Sequence, residues 1–182
     1  MLDPAECGPA TISMSQDVQG EAFDYPEIFF EEKIHNIRQI HPDPREIAKA
    51  AEKIRESQQP LIVAGGGVLY SEAEKELSAF AKKHNIPVTP TVMGIGCMEK
   101  DDPYYIGAIG CLGEGSSNSL SKDTDMALAI GTKLGDFTTG SWTNFQNPKF
   151  QLVSINTARF DVTKHRAIPV ISDAKIGLKE LS

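Results

Sequence analysis

The sequence predicts an α/β chain whose core is a Rossmann-like, doubly wound parallel sheet of five or six strands. Three observations carry this reading. Continuous apolar runs, Leu61-Ile62-Val63-Ala64 and Met126-Ala127-Leu128-Ala129-Ile130 foremost, fit strands covered on both faces. Stretches with apolar residues at helical spacing alternate with such runs from about Asp43 onward. The glycine cluster Gly65-Gly66-Gly67 stands where a strand gives way to a helix, a junction at which open α/β sheets bind ligands.

In chain order, Asp43-Pro44-Arg45-Glu46 is a helix start: Asp43 caps, Pro44 suits the first helical position, and Glu46 is placed to complete a capping box. Ile47, Ala50, Ala51 and Ile54 form the apolar face of that helix, which Gln58-Gln59-Pro60 stops. After the Leu61–Ala64 strand and the glycines, Ser71-Glu72-Ala73-Glu74 reads as a second capping box. Ala73, Leu77, Phe80, Ala81 and His84 then mark a buried stripe that Asn85 ends, and Ile86-Pro87-Val88-Thr89 opens the next strand. Tyr104 to Ala108 is expected to be a short strand and Ser116 to Ser121 a short helix. Met126 to Gly131 reads as a central strand, with Phe150 to Ile155 and Ile168 to Ile171 as two more, and Ala174 to Leu181 as a closing helix.

The first 41 residues fall outside this alternation and read as the tail of a preceding domain plus a linker, leaving 42–182 as the α/β domain. Gly8 to Met14 resembles one isolated strand within that tail. The whole chain, 182 residues with 40% hydrophobic and 24% charged side chains, has the balance of a folded domain rather than a disordered one. A net charge of −7 argues against a nucleic-acid partner, which would demand a basic face. No apolar run approaches the ~20 residues that span a bilayer, and the N-terminus lacks a signal-peptide layout, so a soluble, cytoplasmic protein is expected. Cys7, Cys97 and Cys111 lack any metal or disulfide spacing and read as buried or semi-buried free thiols. The histidines, His35, His41, His84 and His165, read as surface or capping residues.

Two loops offer chemistry. Gly65-Gly66-Gly67 is one, because glycines there let backbone N–H groups approach a phosphate. The dinucleotide fingerprint fails, since Tyr70 takes its third glycine position and Thr89-Pro90-Thr91 supplies no acid for a ribose. A tight turn with positive φ is the simpler account. Thr132 and Lys133, just beyond the central strand, are the other half of a possible nucleotide crevice, although Lys133 reads equally as a solvated lysine. Asp136 to Trp142 mixes hydroxyls with aromatics and suits either a polar contact surface or a packed loop. No nucleophile elbow, P-loop or metal-ligand spacing is present, so no catalytic or metal residue is assigned.

The order of the motifs resembles the central domain of thiamine-diphosphate enzymes of the acetolactate synthase type. The residues that carry the likeness are Gly8 to Ile12 with Gln16 to Gln19, Pro60 to Gly67, Gly94-Ile95-Gly96 with Asp102-Pro103 and Gly107, Asp125 to Asp136, and Ser172-Asp173-Ala174. Ile95 stands where a lysine is common. Asp17 to Pro26, Ala64 to Ser71, Asp136 to Trp142 and Phe145 to Pro148 draw the chain nearest to the branch that hydrolyses a C–C bond of a cyclic 1,2-dione in inositol breakdown. The resemblance implies thiamine diphosphate and Mg²⁺ in a parent enzyme, held by pyrimidine- and diphosphate-binding domains that this chain does not contain, and a homo-oligomeric parent. It also implies a domain that in some relatives holds FAD or ADP, as in the carboligases. FAD-binding relatives carry an acid after the penultimate strand, where this chain has Asn156. A central piece of a larger enzyme is expected to leave apolar surface around Ile12, Phe23, Phe29 and Phe30 exposed.

Overall fold

The computed structural model describes residues 2–182 and divides into two compact units, one reaching to Arg38 and one over Gln39–Ser182. The first contains two 3-10 turns, Val18–Gly20 and Glu27–Phe30, and no strand among its described residues. The expected strand at Gly8 to Met14 is not formed, because backbone without a hydrogen-bonded neighbour builds no ladder. Ile12, Phe23, Phe29 and Phe30 are all exposed.

The second unit starts with α1, Pro44–Glu56. The Asp43 carboxylate accepts the Arg45 N–H at 2.8 Å, a cap that stabilises a helix start by about 1 kcal/mol. Glu46 does not close the expected capping box. Its carboxylate accepts the N–H of Ile171 at 2.9 Å instead, so it clips a strand distant in sequence to the first turn of α1. β1 follows at Pro60–Ala64, with four consecutive buried residues.

The glycines do not simply turn. They open a five-residue helix, α2, Gly66–Tyr70. Glu72 then takes a left-handed φ of 50° and the next helix, α3, runs over Glu74–His84 with Ala73 at its N-cap. The predicted Ser71 capping box is therefore absent, since the left-handed residue breaks the chain between Ser71 and the helix. Asn85 ends α3 in a left-handed conformation, donating its N–H to the carbonyl of Ala81.

β2 is Val88–Pro90. Tyr104 to Ala108 makes one isolated parallel bridge, Val88 to Tyr105, so the described residues form five strands and not a sixth here. α4 spans Gly115–Asp123, β3 Met126–Ile130, α5 Asp136–Thr139, β4 Gln151–Asn156, α6 Arg159–Val162, β5 Ile168–Ile171 and α7 Ala174–Leu181. All pairings are parallel and the strand order is β2-β1-β3-β4-β5. β3 sits at the centre and is buried along its whole length.

Alternation along the strands separates two cores. Ile62, Leu128, Val153 and Val170 face α1, α3 and α7, whose Ala50, Leu77, Phe80 and Leu178 are fully buried against them. Leu61, Val63, Ala127 and Ala129 face the other way, where Ile109, Leu134 and Phe145 cover them from connecting segments rather than from long helices. α4 joins this side through the Ser117 hydroxyl, which donates to the carbonyl of Ala108, and through the Ser121 carbonyl, which accepts the N–H of Phe145.

Candidate functional site

In a sheet of this order successive strands are added in opposite directions on either side of the β1–β3 pair, and a ligand crevice is expected beyond the carboxyl ends of these two strands. Gly65, Gly66 and Gly67 leave β1 and Thr132 and Lys133 leave β3, so the fold does bring the two predicted loops together. Where they meet, backbone stands in contact with backbone. A Cβ on Gly65 would stand 2.3 Å from the carbonyl oxygen of Gly131, and one on Gly67 would stand 2.6 Å from the Gly131 Cα.

Two of the N–H groups in these loops are committed within the fold. Gly65 donates to the carbonyl of Ile130 at 2.8 Å and Gly67 donates to that of Gly131 at 3.0 Å. None of the three glycines has positive φ; Gly131 has it, at 58°. The turn account is corrected accordingly: Gly65 and Gly67 are required by close approach, and Gly131 by both approach and conformation.

Asn156, at the end of β4, closes the same region. Its Nδ2 donates to the Thr132 carbonyl at 3.2 Å while its Oδ1 accepts the N–H of Ala158 at 3.1 Å. A carboxylate there could not make the first bond, because it has no donor. The Thr132 hydroxyl accepts the N–H of Leu134 at 3.3 Å. Lys133 is exposed and forms no ion pair among the described residues.

Gly94 belongs to this packing too, a role that sequence reasoning missed. A Cβ on it would lie 2.1 Å from the Ala64 carbonyl oxygen. Its place in the Gly94-Ile95-Gly96 run was the available signal. Beyond β1, β2 and β3, Tyr70, Met93 and Phe137 stand exposed, each by more than two thirds.

The segment after β3 is mainly a packed loop. Trp142 lies against His165 at 4.5 Å between ring centroids, and Phe145 stacks on Phe150 at 4.9 Å. The hydroxyls of Thr139 and Thr143 donate to nearby carbonyls, at 3.4 and 2.7 Å.

Ionisable groups serve structure. Asp125 accepts from the Ser57 hydroxyl and from the N–H groups of Gln58 at 2.8 Å and Gln59 at 3.0 Å, tying the α1–β1 connection to the start of β3. Burial pushes its carboxyl up, but these bonds outweigh that and hold it below the usual carboxylate range. Of the thiols only Cys97 is buried, where burial pushes it up to about 11; Cys7 and Cys111 are exposed, against expectation. His84 is not a plain surface residue. Its ring packs on Phe80 at 4.4 Å, its Nε2 is buried without a partner, and burial, then Lys83, lowers its pKa. No group of three or more His, Cys, Asp or Glu side chains able to share a metal occurs among the described residues. No described helix is long and apolar enough to cross a membrane.

With this geometry, similarity to known proteins is informative. Residues 47–181 match the family model described as "Thiamine pyrophosphate enzyme, central domain". The chain is 42% identical over 182 residues to the 3D-(3,5/4)-trihydroxycyclohexane-1,2-dione hydrolase of Clostridium tetani, and 43% identical over 181 residues to the enzyme of that name from Halalkalibacterium halodurans. A Clostridium perfringens protein of the same name is 39% identical over 181 residues. In each case all of this chain is covered, but only 28% of the relative. A parallel sheet in the order β2-β1-β3-β4-β5, matched from α1 through α7, places the chain in the thiamine pyrophosphate enzyme family as a central domain.

Proposed function

We propose that the chain is the structural centre of a cytoplasmic thiamine-diphosphate-dependent hydrolase that cleaves a C–C bond of trihydroxycyclohexane-1,2-dione during inositol degradation. The supporting observation is identity of about 40% across the whole chain to three hydrolases of that name. Thiamine diphosphate supplies an electron sink for the breaking bond when bound.

The residues described here do not fit that cofactor or its Mg²⁺. No cluster of acids or histidines offers a metal site, and the N–H groups of Gly65 and Gly67 are spent inside the fold. No reaction step is therefore assigned to this chain. Its role is to hold the pyrimidine- and diphosphate-binding domains of the parent, which is homo-oligomeric, with exposed Tyr70, Met93 and Phe137 available for such contacts. The same committed groups, with Asn156 as a clamp, favour this reading over an FAD- or ADP-binding carboligase module.

The test pairs two measurements. The 182-residue chain, folded by circular dichroism, is titrated with FAD, ADP and thiamine diphosphate in Mg²⁺. The full-length polypeptide that contains it is assayed for dione ring opening with and without thiamine diphosphate. Flat titrations and cofactor-dependent ring opening are expected. Saturable FAD or ADP binding to the chain, or a full-length protein inert toward the dione, overturns the proposal.

A further inference from the structure

β5 ends the sheet, and its composition makes it a hazard. Ile168-Pro169-Val170-Ile171 is apolar and uncharged with three β-branched residues, and Ile168, Pro169 and Ile171 are only half-buried. An accessible edge of that kind is a template on which a strand from another chain can pair.

Along a strand the backbone groups point alternately to one side and the other. Ser172 donates its N–H inward, to the Asn156 carbonyl of β4 at 3.1 Å, so Pro169, Ile171 and Asp173 occupy the outward positions. Each of the three is closed by a different device. Pro169 has no N–H to offer. The Ile171 N–H is held by the Glu46 carboxylate at 2.9 Å. The Asp173 N–H is held by the Ile40 carbonyl at 2.9 Å, to which the Ser172 hydroxyl also donates at 3.2 Å. The opposite edge of the sheet is covered by a chain segment instead. Val88 of β2 donates to the Tyr104 carbonyl at 2.8 Å, its own carbonyl accepts from Ile106 at 3.1 Å, and the Pro90 carbonyl accepts from Ile109 at 3.0 Å.

We propose that Pro169, Glu46 and the Ile40 carbonyl act together as an edge guard that denies β5 to an incoming strand. Three successive outward positions without a free donor leave such a strand no ladder to join. Pro169 separates guarding from simple stabilisation, because a proline on an edge adds no hydrogen bond to the fold. Closed along both edges, the sheet meets a partner through side chains and loops and not by strand addition.

Aggregation of the 182-residue chain under native conditions tests this, followed by thioflavin T binding and loss of soluble protein, with folding checked by circular dichroism. Glu46→Ala frees the Ile171 N–H and Pro169→Val supplies a new one; each should shorten the lag about tenfold, and the double variant further. Glu46→Gln, which keeps an acceptor oxygen, should behave as the wild-type chain. Asp125→Ala removes hydrogen bonds elsewhere and leaves both edges closed, so it should not reach the rate of either edge variant. If one edge variant does not fold, the other decides. Wild-type lags in the folded edge variants overturn the proposal. So does an Asp125→Ala chain that aggregates as fast as they do, because aggregation then follows lost stability and not an opened edge.

Discussion

Asp125 shows how one side chain joins two parts of the fold. It lies 66 to 68 residues from the three groups that bond to its carboxylate, and those bonds set the exit of α1 and the entry to β1. Bonds to a charged acceptor contribute about 1.5–3 kcal/mol, so Asp125→Ala should cost about 2 kcal/mol in urea unfolding at pH 7. The folded pKa is lowered, so the folded state favours the ionised form. Stability from this group is present in full above the unfolded carboxyl pKa of about 3.9 and is lost as pH falls below it. Unfolding curves between pH 7 and about pH 3 should therefore converge for the wild-type and Asp125→Asn chains toward the acid end. A difference that stays constant with pH would show that Asp125 acts through shape alone. Asn156 is a second such residue, and its value lies in being an amide: it donates to Thr132 and accepts from Ala158, which a carboxylate cannot do.

At the scale of elements, Glu46 decides how α1 meets the sheet. β5 is the strand at one end of the order, paired only with β4, so its N–H groups lack a second strand. Glu46 in the first turn of α1 accepts one of them, that of Ile171, and Asp173 donates its N–H to Ile40 at 2.9 Å next to it. Glu46→Ala should raise amide exchange at Ile171 and cost about 1–2 kcal/mol, because a half-buried N–H loses its acceptor. Glu46→Gln, which keeps an acceptor oxygen, should restore most of the protection; exchange unchanged by Glu46→Ala would remove the clip from the account. The helix start at Asp43 was legible because a cap is a local contract between neighbours. The true partner of Glu46 was not, since it lies 125 residues away.

For the whole molecule, the two units differ in what holds them. The residues up to Arg38 include no buried side chain among those described, whereas Gln39–Ser182 encloses both apolar cores. Segments with few buried contacts open at little cost, and proteases cut them first. Dilute trypsin in high salt should therefore cleave at Lys33 or Arg38 and leave a stable product spanning the α/β unit. Cleavage after Arg55 in α1 or Lys82 in α3 at a comparable rate would contradict this division. The family carries a consequence at the same scale: relatives in which this chain covers 28% of the length place most of their residues elsewhere.

The sequence by itself determined the class of fold, the positions of β1, β3, β4, β5 and α7, and the family. Each of these rests on apolar periodicity, caps and motif order, which are written in neighbouring residues. Tyr104 to Ala108 was misread as a strand because a short apolar run has strand periodicity whether or not a ladder partner lies beside it. The candidate site was half legible. The loops of Gly65–Gly67 and Thr132–Lys133 do meet at the reversal of strand order, and Gly65 and Gly67 there make room for Gly131. Only the tertiary structure decided that, because a missing Cβ makes room without stating what fills it, and the occupant here comes from a strand more than 60 residues away.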